Sequence, residues 1–414
     1  MTLMVWITIT LVTVTTVTIG WWLLHYLRTR DTGFEDRYME LYGKEEWEAS
    51  NMELRISFDE EADDAMKIVV RQRLQALLKE KALESTSSLF HEVPQVSSEG
   101  VTFSHKASVT LEELLQPRKG VYFDMTAPGL VRVVWNHLQA DGVRLWRSVK
   151  PLFDPNPPIV DFDEQKLPLP LIPEVTALPT TLKTSLYRSN LEVDKKAPLK
   201  KGFRLWSTTP VKELKKQTHG KSFNLVSSTL LLAELFERHP EKKRLTVGMI
   251  LAFPFLRSNN QYGVFTFQVK RGSFQELLRQ VERQMKSPVV MWGNFSVQSQ
   301  LLSLLPDEMF MKTVGFFRGQ LDVLISNLPV GKVDIKLNQI PCQLSVFMDE
   351  LSVPYYFLLI GTRSHLHLSY CSKFEQERSF LCQETILHRL SREALVTSAL
   401  PEQPPIFPSI TPTS

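Results

Sequence analysis

Eight prolines fall between positions 151 and 182, at 151, 155, 157, 158, 168, 170, 173 and 179. Proline has no backbone N–H to donate and holds φ at about −65°, so this stretch can form neither a long helix nor a central strand. A structureless connection of this length inside a protein body links or serves a function. The stretch therefore reads as a crossover, counted here as residues 151–200, between a first half at 52–150 and a second half at 201–394. A length of 414 residues suits one large or two smaller units of this kind.

Each half carries its own pattern. In the first, Met52–Ser57 alternates like a strand, and Asp59–Leu83 reads as an amphipathic helix with Ala65, Ile68, Val69, Leu74, Leu77 and Leu78 on its apolar side. Strand-like pieces follow near 100–106 and 120–125. The β-branched run Leu130–Trp135 reads as a buried strand ending on Asn136-His137, and Asp141-Gly142 opens a helix through Val143, Leu145, Trp146 and Val149. The second half alternates strands (203–206, 245–255, 264–269, 321–326, 342–348, 355–361, 365–370) with helices (209–220, 222–238, 273–286, 296–304, 373–394). This is a mixed α/β (α+β) arrangement. The tail, 395–414, contains five prolines and is expected to be disordered.

No charged residue occurs from Leu3 to Leu24. Twenty-two residues at 1.5 Å rise give about 33 Å, enough to cross a hydrocarbon core of about 30 Å. Trp21, Trp22 and Tyr26 stand where an interfacial aromatic belt stands, and Arg28 and Arg30 follow. Residues 3–27 are therefore expected to form one transmembrane helix, 28–51 a juxtamembrane linker, and the body to lie on the cytoplasmic side. Cys342, Cys371 and Cys382 form no CxxC pair, which fits a reducing compartment and speaks against a disulfide framework. The net charge of +3 gives no basic field for nucleic acid.

Chemistry concentrates at Asn136-His137-Leu138-Gln139-Ala140-Asp141-Gly142. A histidine titrates near neutrality and can take a proton from a hydroxyl or amine. A strand end holds its ring more firmly than a free loop. Asp141, four residues on, can fix the turn, and Gly142 is expected to let the backbone bend sharply. His365 and His367 alternate on one strand and share a face, but no third ligand at suitable spacing accompanies them, so they read as packing residues rather than zinc ligands. No GxSxG, P-loop or dinucleotide fingerprint is present.

His137-Leu138-Gln139-Ala140-Asp141-Gly142 resembles the HHxxxDG motif of the CoA-dependent acyltransferase superfamily, which includes chloramphenicol acetyltransferase, the plant BAHD enzymes, peptide-synthetase condensation domains and the wax ester synthase/diacylglycerol acyltransferases. His137 matches the second histidine, the general base, and Asp141 the structural aspartate; Asn136 stands where the first histidine would be. Leu324-Ile325-Ser326-Asn327-Leu328-Pro329-Val330-Gly331 is similar to the late Ser-Asn segment of the wax-synthase-like and dihydrolipoyl acyltransferase branches. The loop Arg257–Gly263 is similar to the Arg…Asn-Gly region of that branch. The plant-type DFGWG motif is absent. The resemblance spans roughly residues 52–392, nearest the wax-synthase-like branch.

This resemblance implies two chloramphenicol-acetyltransferase-like subdomains, with Ser326 or Asn327 beside a catalytic tunnel as oxyanion donors. Asn136, Gly142 and Asn260 become candidate substrate contacts. The implied reaction moves an acyl group from acyl-CoA, or from an acyl carrier protein with the same phosphopantetheine arm, to a hydroxyl or amine, with no bound cofactor or metal. With the N-terminal run as an anchor, a hydrophobic, lipid-like acceptor at the bilayer is expected. The alternative is an inactive acyltransferase-fold subunit acting as a membrane-anchored scaffold.

Overall fold

The computed structural model describes residues 51–58, 64–70, 72–73, 95–97, 100–102, 121–124, 129–136, 153, 200–207, 221–252, 262–285, 305–329, 334–348, 353–362 and 365–374, with single positions at 13, 16, 20, 142, 145, 146, 187, 189, 191, 193, 216 and 302. The apolar run 3–24 lies outside these residues except for Thr13, Thr16 and Gly20, which are helical and exposed. Among the described residues no helix is long and apolar enough to cross a membrane. Of the final helix expected at 373–394 only Lys373 and Phe374 are described, and they form a bend; its remainder and the tail lie outside the described residues.

Two sheets form the framework. The first contains β1 (Asn51–Ser57), β4 (Val121–Asp124), β5 (Leu130–Asn136) and β12 (Gln343–Met348), in the order β12-β1-β5-β4 and antiparallel throughout. The second contains β6 (Lys200–Ser207), β7 (Arg244–Ala252), β8 (Tyr262–Lys270), β9 (Val323–Pro329), β13 (Tyr355–Gly361) and β14 (His365–Ser372), in the order β6-β14-β13-β9-β7-β8. Its centre, β13-β9-β7, is parallel and its flanks are antiparallel. Two short hairpins complete the strands: β2 (Gln95–Ser97) with β3 (Gly100–Thr102), and β10 (Lys336–Leu337) with β11 (Ile340–Pro341).

Strand β13 is buried along its length from Tyr355 to Ile360, as expected for a parallel strand covered on both faces. Alternation then divides the core. Tyr355, Phe357 and Leu359 pack with Val323 and Ile325 against α1 (Phe223–Arg238) and α2 (Phe274–Gln284). Tyr356, Leu358 and Ile360 face the other way and join Met52, Leu54, Ile56, Val133, Leu344 and Val346 of the first sheet. The space between the sheets is thus walled by the even-numbered residues of β13 and of β1.

Strand β12 belongs by sequence to the second half and by pairing to the first sheet. Its free edge is tied back by side chains of β14: the Leu344 amide donates to His367 Nδ1 at 3.1 Å, and the Val346 amide donates to Ser369 Oγ at 2.9 Å. Both acceptors are buried. A second tie is Asp322, fully buried ahead of β9, whose carboxylate accepts from the amides of Thr246 (2.6 Å) and Leu191 (2.7 Å) and from Ser189 Oγ (2.8 Å).

The helices follow their end signals. Ser222 caps α1 by accepting from the Leu225 amide at 3.3 Å, and His239-Pro240 ends it. The Arg271 guanidinium lies at its C-terminus, donating to the carbonyls of Phe236, His239 and Lys242. Ser273 and Glu276 form a capping box at the start of α2, and Phe274, Leu277, Leu278 and Val281 give its buried stripe.

Three expectations need correction. Among the described residues of the first-half helix, Met66 and Val70 are buried and Val69 packs partly buried against the core, whereas Ala65 is exposed and Ile68 is 52% exposed; Leu74, Leu77 and Leu78 lie outside the described residues. The run Ala65–Val70 holds apolar residues in two helical phases, and the phase carrying Met66 is the one that packs. Helix α3 (Asp307–Arg318) was not expected. It starts after Pro306 with Asp307 and Glu308 in its first turn, but Met309 and Phe316 are exposed beside buried Phe310 and Val314, which blurs its stripe. The β10–β11 hairpin was also missed. Its turn uses Asn338 (φ 49°) and Gln339 (φ 68°), a left-handed pair for which Asn-Gly is the usual signal.

Candidate active site

Strand β5 is a buried β-branched run, and its closing residues Trp135 and Asn136 pair with Met52 and Asn51 of β1. The register is reinforced on the sheet's outer face. Glu53 accepts from Arg132 Nε at 2.5 Å and from Arg55 Nε at 2.8 Å, and Arg55 also lies over the Phe347 ring at 4.7 Å. Burial pushes the Glu53 carboxyl up, but the bonds and charges of Arg55 and Arg132 together hold it below the ordinary range. An ion network thus clamps the strand that delivers the chain to position 137. His137, Asp141 and Asn260 themselves lie outside the described residues, as does the loop 257–261; of Asn136 the backbone is described.

A cavity with about 740 Å³ of empty space, its open mouth included, lies between the two sheets. Met52, Leu54, Trp135, Leu344 and Val346 line it from the first sheet. Ile250, Tyr262, Ser326, Asn327, Leu328, Tyr356, Leu358 and Ile360 line it from the second, and Gly142, Leu145 and Trp146 from the segment after β5. Three residues singled out in the sequence, Gly142, Ser326 and Asn327, therefore meet at one cavity although 184 positions separate Gly142 from Ser326.

Its wall is mainly apolar, with a few polar groups set into it. Ser326 and Asn327 are half-buried. Tyr356 is buried in the same wall, and burial pushes its phenol up. Trp146 Nε1 and Asn327 Nδ2 are buried donors with no hydrogen-bond partner among the described residues. A buried donor in that state costs about 1–3 kcal/mol until an acceptor reaches it. The arrangement suits an apolar molecule carrying an acceptor oxygen.

Gly142 plays a different backbone part from the one expected. It is helical and is not among the glycines with positive φ. A Cβ built on it would meet Leu328 Cδ1 at 3.6 Å, an ordinary contact, so its position marks the cavity wall rather than a sharp bend. The histidine pair also resolves into packing. His367 is buried and accepts from Leu344, and its ring centroid is 6.4 Å from that of His365. No cluster of metal-ligating side chains occurs among the described residues. Tyr356, Trp146 and Tyr262 were not picked out from the sequence. The phase of β13, which places Tyr356 with Leu358 and Ile360, was the one signal for Tyr356.

No protein-family model and no curated protein sequence matches the chain. Solved structures do. A mutant starter condensation domain of the rhizomide synthetase RzmA, in complex with C8-CoA, is similar with a TM-score of 0.52 and 10% identity, over 87% of this chain and 93% of that one. The same domain in a mutant form with a "product-released" conformation gives 0.52 and 10%, over 89% and 94%. The chain has the CoA-dependent acyltransferase fold. The wax ester synthase/diacylglycerol acyltransferase from Marinobacter aquaeolei VT8 shares 15% identity at a TM-score of 0.47, over 85% of this chain and 96% of that one. In this fold the cavity is lined from both sheets, which the β12–β14 hydrogen bonds join, and β5 and β9 bring the two motif regions to it.

Proposed function

We propose that the chain is a membrane-anchored acyltransferase that moves an acyl group from acyl-CoA to a hydroxyl or amine of a hydrophobic acceptor, with His137 as general base. The supporting observation is the shared cavity. Ser326 and Asn327 of β9 line it together with Trp135, two residues before His137, and Gly142, the residue after Asp141.

In this reading His137 removes the acceptor's proton as its oxygen or nitrogen attacks the thioester carbonyl. The carbonyl oxygen gains the negative charge, and Ser326 or Asn327 donates to it in the tetrahedral intermediate. The C–S bond then breaks, the sulfur takes the proton from the His137 imidazolium, and free CoA leaves beside the new ester or amide. Asp141 holds the turn, and Asn136, Gly142 and Asn260 contact substrate. A carrier-protein donor is chemically equivalent at the thioester. The similar rhizomide synthetase domain is a complex with C8-CoA, which makes a medium-chain acyl-CoA a sensible first donor.

Anchoring rests on the uncharged run Leu3–Leu24, and the cytoplasmic placement of the body on Arg28 and Arg30 after it. The apolar run and the apolar cavity wall support a lipid-like acceptor and a part in lipid metabolism. Asn136, standing where relatives carry the first histidine, favours the second reading of a scaffold without turnover. Release of free thiol from octanoyl-CoA by the detergent-solubilised chain, over a panel of linear alcohols and amines, separates the two. Turnover by the wild type and its loss in His137→Ala support the enzyme; equal rates in both proteins leave the scaffold.

A further inference from the structure

Two residues with unpartnered buried donors line the cavity from different walls. Asn327 comes from β9 of the second sheet, and Trp146 from the segment after β5. Neither Asn327 Nδ2 nor Trp146 Nε1 meets a hydrogen-bond partner among the described residues. In acyl transfer, Ser326 or Asn327 serves the thioester oxygen; Trp146 has no part in that step.

Trp146 is held as firmly as a core residue. It is 2% exposed, and the Phe153 ring packs against it at 5.2 Å between centroids, tilted by 35°. A buried indole ordinarily has a partner for its N–H. A wholly apolar side chain would fill the same place without leaving a donor unpaired, so packing alone does not account for a tryptophan here.

The wall restricts what a partner for Trp146 can be. An indole N–H only donates, so the partner accepts. No charged side chain lines the cavity, so a carboxylate or phosphate would stand there without a counter-ion. A hydroxyl oxygen accepts as well, but its own proton would then need an acceptor. From the first sheet and the segment after β5, the other lining side chains are Met52, Leu54, Trp135, Leu145, Leu344 and Val346, none of which carries a strong acceptor. A lone water is poorly served there for the same reason, since it needs roughly two to four polar partners. A carbonyl oxygen needs one donor and brings no proton.

Resting on the acyl-transfer reading above, we propose that Trp146 is a specificity-determining residue: its indole N–H donates to a second, uncharged carbonyl oxygen of a bound substrate, away from the reacting thioester. Two sources offer such a carbonyl. One is an ester or amide in the hydrophobic acceptor; the other is the amide of the pantetheine arm next to the thioester. The bond is the same in the ground state and in the transition state, so it acts on binding and not on the chemical step.

The test compares ligands that differ only in a carbonyl, on the full-length chain in detergent. Monooctanoylglycerol is set against a dodecanediol of the same chain length, in which methylenes replace the ester. Octanoyl-N-acetylcysteamine is set against the pentyl thioester of octanoic acid, in which methylenes replace the amide. Affinities come from the dependence of melting temperature on ligand concentration, with no reaction partner present. Each is measured for wild type and Trp146→Phe, and micelle partitioning, common to both proteins, cancels in the ratio. Loss of the N–H is expected to lower the preference for the carbonyl ligand about tenfold in one pair or both. A drop in the glycerol pair assigns the carbonyl to the acceptor, and a drop in the thioester pair assigns it to the donor's arm. Should Trp146→Phe not fold, a benzothiophene analogue of tryptophan at 146 keeps the bicyclic shape and removes only the N–H. Preferences unchanged in both pairs, or a wild type that binds none of the four ligands, overturn the proposal. A wild type that shows the preference but releases no thiol from octanoyl-CoA overturns acyl transfer instead, and Trp146 stands as a binding contact alone.

Discussion

His367 on β14 accepts the Leu344 amide of β12 at 3.1 Å, so the join between the two sheets depends on a neutral imidazole nitrogen. Burial, with a smaller contribution from His365, pushes the His367 pKa from 6.5 down to about 4, against weaker opposing effects of the Leu344 backbone and Asp334. The unfolded chain takes up the proton at about 6.5 and the folded chain only near 4. Stability from this group is therefore complete above pH 6.5 and falls as the pH drops toward 4, by on the order of 3 kcal/mol in all. Chemical denaturation between pH 4 and 7.5 is expected to show this slope, and His367→Gln, which keeps an acceptor and does not titrate, should flatten it. An unchanged slope in that variant would place the acid sensitivity elsewhere.

Asp322 is expected to tolerate even its isostere poorly. Its two oxygens accept from Thr246, Leu191 and Ser189, a set that joins β7, the start of β9 and the chain arriving from the crossover. Asp322→Asn replaces one acceptor with an amide donor facing a backbone N–H in a fully buried place. Loss of a charge-assisted bond and the unpaired donor together predict about 2–4 kcal/mol of destabilisation in urea unfolding. A loss under 1 kcal/mol would mean that the segment at 189–191 rearranges freely.

Two glycines make opposite predictions from the same operation. At Gly202 an added Cβ would lie 2.1 Å from Cζ of Tyr370, the ring that covers it across β6 and β14. At Gly142 the nearest atom is 3.6 Å away. Gly202→Ala is expected to cost about 1–3 kcal/mol through displacement of that ring, and Gly142→Ala to stay within about 0.5 kcal/mol of wild type. Thermal melts of the two variants side by side decide the matter; a destabilised Gly142→Ala would return that residue to a backbone role.

Much of the framework was legible because period and phase agree. Tyr355–Ile360 is apolar through both phases, Leu130–Trp135 at every position but Arg132, and both became interior strands; Ser222 and Ser273 announced α1 and α2. Where two phases compete, as at Ala65–Val70, the pattern alone does not choose the buried face. Ser326 and Asn327 were visible as a motif, and they line one cavity together with Gly142. Tyr356 was invisible because it reads as one more aromatic in a buried strand; its place on the cavity comes from the pairing of β13 with β9, which joins residues 32 positions apart. The β12–β14 seam was hidden for the same reason. His367 and Ser369 gain their acceptor roles from a strand that leaves one sheet for the other, and no local periodicity encodes that departure.

The apolar wall carries the last prediction, which concerns acyl length. Leu54 and Leu358 lie on opposite sheets, each points into the cavity core, and each is under 5% exposed. Enlarging one of them to Trp fills space that a chain would use, at a packing cost of about 1–3 kcal/mol. If the cavity holds the acyl chain, Leu358→Trp should leave kcat/KM for acetyl-CoA near wild type and lower it for octanoyl-CoA and longer donors by at least about tenfold, since each excluded methylene forfeits about 0.8 kcal/mol of burial. If the cavity holds the acceptor instead, the same variant should discriminate among alcohols by length and treat all acyl donors alike. Profiles that shift for neither substrate would detach the cavity from substrate binding, because a ligand in contact with Leu358 must feel the added ring.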